Sequence, residues 1–273
     1  MSMRTIGTFM LTSLVLAAAT SAVACPNCKR GYVFGKPVAI GNGMAWTWVK
    51  LGTTPDKIDS MGVTFTETAL EGLPDLADQP MPSMEYILEL PAQVKGKPFD
   101  HVGLDWNPKG HPPMPLYGKA HFDIHFYTIS QGKRQEITLK GANAKVAAAK
   151  PDSKFVPAGY INPPGTIVPN MGNHWINPNA KELKGQEFDT TFLYGSYEGK
   201  TAFWEPMITT KFLASKPNFT EALAQPQAYD FTGFYPTSYS VKYNESRREV
   251  TVSLDSLKFA SAPKTNVVAK KKK

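Results

Sequence analysis

The sequence predicts an all-β fold, mainly an antiparallel barrel or sandwich, with long proline-rich loops and at most one or two short helices. Proline (23 residues) and glycine (21 residues) are spread along the chain and separate short runs of alternating apolar and polar residues. Such alternation is typical of strands, and no long segment carries the 3.6-residue apolar period of a helix. With 273 residues, 42% of them hydrophobic, the chain is long enough to bury a core.

Strand-like segments and hairpins recur along the chain. The single strands are predicted at 44–51 (MAWTWVKL), 62–70 (GVTFTETAL), 84–90 (MEYILEL) and 121–129 (HFDIHFYTI). A first hairpin pairs residues 189–197 with 200–209 around Glu198-Gly199, and a second pairs 237–244 with 248–259 around a polar turn.

Three connecting segments carry weaker signals. SQGKRQEITL (130–139) predicts a turn into a strand paired with HFDIHFYTI. NFTEALAQ (218–225) predicts a helical turn, because an N-cap-like Asn218 and good helix formers precede Pro226. Residues 141–179 contain six prolines and predict a long loop, a feature that is often functional in a compact domain.

The N-terminus predicts a secretory signal peptide over residues 1–24. Arg4 precedes an apolar run from Ile6 to Ala19, and small residues at Ala22 and Ala24 suit a cleavage site. The run is shorter than the roughly 20 residues of a transmembrane helix, and no later segment is long and apolar enough to be one. We therefore expect a periplasmic or secreted protein without a transmembrane segment.

Both cysteines lie in the next segment, residues 25–35, in a CPNC motif. In an oxidising compartment Cys25 and Cys28 are expected to form a small disulfide or to remain thiols without chemistry. A lipid anchor on Cys25 is an alternative that Ala22 disfavours, since lipoprotein signals usually have a branched aliphatic residue there. Lys29 stands where a haem-attachment motif requires histidine, which excludes haem attachment.

Residues 36–260 are predicted to form a single β-rich domain, because no repeat or composition shift marks a boundary. Residues 261–273 predict a disordered, lysine-rich tail, so much of the formal net charge of +7 belongs to the tail. No basic patch alternates with aromatic residues, and no phosphate-binding glycine motif is present. The sequence therefore argues against a nucleic-acid partner and gives no support for a nucleotide cofactor.

The strand HFDIHFY contains two of the five histidines of the chain. In a strand alternate residues share a face, so Phe122, Ile124 and Phe126 are expected to face a core. The opposite face carries His121, Asp123, His125 and Tyr127. His121 and His125 lie roughly 13 Å apart along a straight strand, which is too far for both to bind one ion at about 2.1 Å. Without a bulge, an ion would use two neighbouring polar residues and ligands from elsewhere.

Suitable outside ligands exist. His174 lies at the end of the proline-rich segment, and Glu205 shares an apolar face with Phe203 and Met207. A carboxylate on a buried apolar face is costly unless it is paired or coordinates an ion. The predicted metal ligands are His121, Asp123, His125, His174 and Glu205, with His111 as an additional ligand. Such a set suits zinc, iron, manganese or copper.

The same residues also admit a purely structural interpretation. The strand histidines then form ordinary hydrogen bonds, Glu205 forms a salt bridge with a lysine or arginine, and His111 is a turn residue among prolines. His101 is left out of the site.

Four sequence blocks resemble a family of uncharacterised secreted bacterial β-proteins. They are LDWNPKGHPPMPLYGKAHFDIHFY, GYINPP, MGNHWINP and YGSYEGKTAFWEPMIT, and the resemblance extends from about Lys36 to Phe259. The namesake of the family is a sigma-factor-controlled Thermus thermophilus protein that forms a ring-like homo-oligomer. The resemblance implies a β-rich extracytoplasmic homo-oligomer, and it implies no reaction and no catalytic residues.

The leading hypothesis is an exported β-rich protein that binds a transition metal through this His/Asp/Glu cluster. A non-enzymatic, stress-related envelope binding or scaffold protein, with a small-molecule ligand or a homo-oligomeric interface on its polar face, is the alternative. A metal-dependent hydrolase or lyase is the third, although no nucleophile motif such as G-x-S-x-G is present. Whether the protein is an enzyme stays open at this stage.

Overall fold

A computed structural model describes residues 31–54, 57–76, 78, 83–94 and 98–264. The predicted signal peptide, both cysteines and the lysines at the C-terminus lie outside these residues. Within the described ranges, no helix has the length and apolar character needed to cross a membrane.

Strands dominate the described part of the chain, where sixteen are found. They are β1 (Tyr32–Phe34), β2 (Val38–Ile40), β3 (Gly43–Leu51), β4 (Ile58–Thr66), β5 (Met84–Glu89), β6 (His101–Asn107), β7 (His121–Tyr127), β8 (Ile167–Val168), β9 (Gly172–Trp175), β10 (Thr190–Tyr197), β11 (Lys200–Thr209), β12 (Asn218–Ala222), β13 (Gly233–Tyr235), β14 (Ser238–Asn244), β15 (Glu249–Asp255) and β16 (Lys258–Ala260). The predicted all-β class is confirmed.

The helices are short and connect strands. In the described ranges the α-helices are α1 (Met114–Tyr117), α2 (Gln131–Gln135), α3 (Gly141–Ala148) and α4 (Thr210–Ala214). Short 3-10 helices span Glu67–Leu70, Ser153–Phe155 and Lys181–Lys184. Helices are thus more numerous than the one or two expected, because several connecting segments form short α-helices of four to eight residues.

Two seven-stranded antiparallel sheets form the body of the structure. The first has the order β1-β3-β4-β15-β14-β12, with β2 also paired to β3. The second has the order β5-β6-β7-β11-β10-β9-β8, and β13 pairs separately with β16. In the second sheet β7 is a central strand, hydrogen-bonded to β6 on one side and β11 on the other.

The main core lies between the inner faces of the two sheets. Phe65 of the first sheet packs on Phe122 of the second, with ring centroids 5.5 Å apart. Ile124 and Phe126 of β7 join the same core, as the alternation predicts. The two sheets therefore pack as a sandwich, with roughly half of the strand side chains inside.

The outer face of the second sheet is covered as well. One small apolar cluster contains Tyr127, Phe203 and Ala147 of α3, and another contains Tyr117 of α1, Phe188 and Met207. Every residue of β7 is buried as a result. The polar side of this strand therefore faces a covered layer and not bulk water.

Several local predictions are confirmed. The strands expected at 44–51, 84–90 and 121–129 correspond to β3, β5 and β7, and the predicted hairpins are β10–β11 and β14–β15. Glu198 and Gly199 have φ values of 55° and 69°, as a two-residue hairpin turn with two left-handed residues requires.

Three connecting segments differ from expectation. The predicted strand after β7 is helix α2, whose N-cap Ser130 accepts a hydrogen bond from the Lys133 backbone N–H at 3.2 Å. NFTEALAQ is largely strand β12, because pairing with β14 outweighs its helix propensity. The proline-rich segment 141–179 contains α3, β8 and β9 and extends the second sheet.

Gly195 of β10 provides space for the ring of Phe203. A Cβ at Gly195 would lie 1.9 Å from that ring, so we expect Gly195→Ala to lower the free energy of unfolding by about 1–3 kcal/mol. Gly132 of α2 is the matched control, because a Cβ there would meet nothing within 4 Å. Urea denaturation of both variants measures the effect, and equal stabilities would contradict this packing.

Candidate metal centre

The polar residues of β7 lie on the covered outer face of the second sheet. The residues His121, Asp123 and His125 are 0%, 5% and 0% exposed. On the neighbouring strand β11, Glu205 lies between Phe203 and Met207 and is 2% exposed. Four ionisable side chains are thus buried on one sheet face, an arrangement that requires compensation by partners.

The predicted ligands fall into two groups and not one. The first group is His111, His121 and Asp123, and the second is His125, His174 and Glu205. Within each group the potential ligand atoms all lie within 4.8 Å of one another, and the groups share no residue. The strand geometry explains this division, because His121 and His125 are four residues apart on the extended strand β7.

The first group brings a loop histidine over the start of β7. His121 Nε2 lies 3.0 Å from Asp123 Oδ1, and His111 Nε2 lies 3.3 Å from Asp123 Oδ2. The imidazoles of His111 and His121 meet edge to face, with centroids 4.8 Å apart. Asn107 of β6 donates a hydrogen bond to Asp123 Oδ2 at 2.9 Å, so one oxygen of this carboxylate already has a donor.

The second group brings three strands together. His125 Nε2 lies 3.4 Å from Glu205 Oε1, and His174 Nε2 lies 3.7 Å from Glu205 Oε2. Two ligand atoms bound at about 2.1 Å to one tetrahedral ion lie about 3.4 Å apart, so these separations suit coordination. His174 reaches the site because β9 pairs with β10, which places it opposite Gly195.

All four imidazoles are held at Nδ1 by an oxygen atom. The partners are Pro112 O for His111 (2.9 Å), Lys119 O for His121 (2.6 Å), Asp105 Oδ2 for His125 (2.9 Å) and Thr166 O for His174 (2.9 Å). A carbonyl oxygen only accepts, so Nδ1 carries the proton in three of these rings. Each Nε2 is thereby directed at a carboxylate, the orientation common among metal-binding histidines.

Several atoms at the two groups are buried without a hydrogen bond. They are His121 Nε2, Asp123 Oδ1, His125 Nε2 and Glu205 Oε2. His121 Nε2 and Asp123 Oδ1 are close but not aligned for a hydrogen bond. Native proteins rarely leave such atoms unsatisfied, and one ion in each group would satisfy the two atoms of that group.

Aromatic rings fix the imidazoles of the second group. Phe203 contacts His125 with centroids 4.9 Å apart and His174 with centroids 5.0 Å apart. Tyr127 stacks on His125 at 5.2 Å and an interplanar angle of 10°. These contacts leave His125 little rotational freedom, so its Nε2 keeps its direction towards Glu205.

Asp105 is a functional candidate that the sequence analysis missed. It lies on β6 directly opposite Asp123, is 4% exposed, and holds His125 through the 2.9 Å contact. The alternation of HVGLDWN would have revealed it, because His101, Gly103 and Asp105 share the polar face of that strand. His101 itself pairs with Asp100 at 2.9 Å and belongs to neither group.

Burial and mutual repulsion shift the pKa values of the second group and of the neighbouring Asp105. Burial lowers the pKa of both His125 and His174 to about 4. Burial, together with the charge of Asp123, raises the pKa of Asp105 to about 7. Burial and the charges of Asp123 and Asp105 also raise the pKa of Glu205 well above its ordinary value. A positive ion would relieve the repulsion among these acids.

The first group shows the opposite balance. Burial acts to lower the pKa of His111, but the hydrogen bond and charge of Asp123 outweigh it and raise that pKa to about 9. Burial acts to raise the pKa of Asp123, and the imidazoles of His121 and His111 hold it well below the ordinary value. Without an ion, this group is an ion pair of one carboxylate with imidazolium.

The alternative interpretation of Glu205 as a salt bridge to lysine or arginine is not what the structure shows. Within the described ranges, its ion-pair partners are His125 and His174. The expected position of Glu205 on the face of Phe203 and Met207 is observed.

The family comparison agrees with the resemblance noted in the sequence. Residues 56–106 match the model of the TTHB210-like family, described as "Hypothetical protein TTHB210". This is the family that the sequence resemblance indicates. The matched segment covers β4 to β6 and includes Asp105, but none of the six predicted ligands. No curated protein and no solved structure matches the chain significantly.

The pKa shift of His174 predicts an acid-sensitive stability in chelator-treated protein. His174 has a pKa near 6.5 in the unfolded chain and about 4 in the folded chain. Its protonation therefore favours the unfolded state, and the free energy of unfolding decreases as the pH falls from 6.5 to 4. We expect the free energy of unfolding of His174→Gln to increase by about 3 kcal/mol relative to that of the wild type when the pH falls from 7 to 4. Urea denaturation at each pH gives this difference.

For the matched variant His111→Gln, the difference in the free energy of unfolding from the wild type should change with pH in the opposite direction. The pKa of His111 is raised, so its stabilisation is present below pH 6.5 and disappears as the pH rises through about 9. We expect the stability loss in His111→Gln to be largest near pH 6 and to shrink towards pH 9. A pH-independent difference in either variant would contradict the assigned environments.

Proposed function

We propose that this chain is an exported β-rich protein that binds a transition metal ion in the buried triad of His125, His174 and Glu205. The supporting observation is that two Nδ1-anchored imidazoles direct Nε2 at the two oxygens of one buried carboxylate. Two nitrogen donors and a carboxylate suit zinc, iron, manganese or copper.

The fit of the triad to an ion rests on donor number and enclosure. Glu205 faces His125 with one oxygen and His174 with the other, so the three side chains offer four donor atoms. His125 and Glu205 are 1% and 2% exposed as side chains, and His174 is 12% exposed. Two histidines and a glutamate form the ligand set of known zinc sites, and the low exposure of these side chains would enclose the ion.

Metal analysis of the mature chain, purified without a histidine tag, tests this proposal. We expect His125→Ala and His174→Ala each to lower the metal content by one ion per chain, because each removes a nitrogen donor. His101→Ala is the control, since His101 is equally buried on the same sheet face and lies in neither group. Metal content unchanged by His125→Ala and His174→Ala, or no bound metal in the wild type, would refute the site.

Asp105 is expected to position His125 for the ion. Asp105→Asn should weaken metal binding at this triad about 10- to 100-fold, because the ring loses its charged Nδ1 partner. Asp100→Asn is the matched control, since the Asp100–His101 contact has the same 2.9 Å length but belongs to neither group. Competition with a metal-binding dye measures both affinities, and equal affinities in the two variants would exclude this role.

Export and self-association complete the proposal. Arg4 and the apolar run from Ile6 to Ala19 support export. The resemblance to a ring-forming namesake supports a homo-oligomeric envelope protein, and β12 at an edge of the first sheet offers strand edges for assembly. Light scattering on the mature chain tests assembly, and a stable monomer would count against it.

A further inference from the structure

We infer that the triad of His111, His121 and Asp123 binds a second metal ion with one coordination position open to a small anion or water. The inference extends the proposed function to another ion and does not require the buried triad to be filled. Its basis is the geometry of three side chains that meet at the start of β7, where the loop residue His111 is partly exposed.

This ion would be separate from the ion of the buried triad. His121 and His125 both project from the outer face of β7, and four residues of extended strand separate them by about 13 Å. A bridged two-metal centre has its ions about 3.5–4 Å apart and shares ligands between them. The two triads share no residue, so two mononuclear sites are the consistent arrangement.

Two buried atoms of the triad have no hydrogen bond, which indicates a bound ion. His121 Nε2 and Asp123 Oδ1 are buried, 3.0 Å apart and not hydrogen-bonded. The Nδ1 of His121 is occupied by Lys119 O, so rotation of the ring cannot relieve the arrangement without breaking a 2.6 Å contact. An ion about 2.1 Å from each atom would satisfy both.

The number of donor atoms in this triad indicates an open coordination position. Asp123 Oδ2 already accepts a hydrogen bond from Asn107, which leaves Oδ1 as the free oxygen of this carboxylate. With the Nε2 atoms of His111 and His121, the triad offers three donor atoms. Three protein ligands and an open fourth position characterise catalytic zinc sites. The buried triad differs in its enclosure, because the side chains of His125 and Glu205 are almost fully buried.

This triad is more accessible to solvent than the buried triad. The His111 side chain is 32% exposed, whereas those of His125 and Glu205 are 1% and 2% exposed. His111 lies on the loop between β6 and α1, beside exposed Pro112 and Pro113. The open position would therefore face solvent on the side of His111. Ions with such a position lower the pKa of bound water, which is the chemistry of metal-dependent hydrolases and lyases.

Titration of the chelator-treated mature chain with Co²⁺ tests this second site. We expect two ions per chain in the wild type and one each in His111→Ala and His174→Ala. Azide, a small anion, should change the visible Co²⁺ spectrum of the wild type and of His174→Ala, but not of His111→Ala. Only the triad of His111 would offer azide a position that is reached from solvent, because His125 and Glu205 are enclosed.

Controls separate folding from ligation. His111→Gln should give the same ion count as His111→Ala, and circular dichroism should show a native fold because His111 is partly exposed. His101→Ala should retain both ions.

The outcomes distinguish the two proposals. Two ions in His111→Ala, or an azide response there equal to that of the wild type, would overturn the second site and leave the buried site intact. One ion in both the wild type and His174→Ala, but none in His111→Ala, would support the second site and refute the buried one. No bound Co²⁺ in any sample would overturn both.

Discussion

The candidate site depends on how the imidazole rings are anchored. A carbonyl oxygen accepts the Nδ1 proton of His111, His121 and His174, and Asp105 is the partner of His125. This anchoring fixes the tautomer and turns each Nε2 towards a carboxylate inside a covered layer. If the anchors were water molecules, the same side chains could rotate apart and the sheet face would be an ordinary polar surface.

The sheet then determines how these atoms are distributed. Side chains on one face of β7 repeat every two residues, so Asp123 groups with His121 while His125 is left to the ligands of β9 and β11. The missing side chain of Gly195 allows the Phe203 ring to lie beside both His125 and His174. Packing and coordination geometry are therefore coupled at this glycine.

Much of this arrangement can be read from the sequence, and the rest depends on long-range pairing. The strand of His121 and His125, the hairpin with Glu205 and the approximate 13 Å separation follow from alternation and strand rise. The position of His174 on a strand does not, because β9 is four residues long and forms by pairing with β8 and β10. Strand β12 differs from its predicted helical turn for the same reason, since local propensity does not reveal its partner β14. Helix α2 is a local feature that begins at the N-cap Ser130.

The ligands of the buried triad come from β7, β9 and β11, which are separated by long stretches of chain. In the proposed export, an unfolded chain that passes through a membrane would not yet carry this chelating site, because the site forms only after the sheet has assembled. The metal supplied to the protein would be chosen by the ions present where folding finishes. Export would in this way act as a filter on metal identity, independent of the intrinsic preference of the donors.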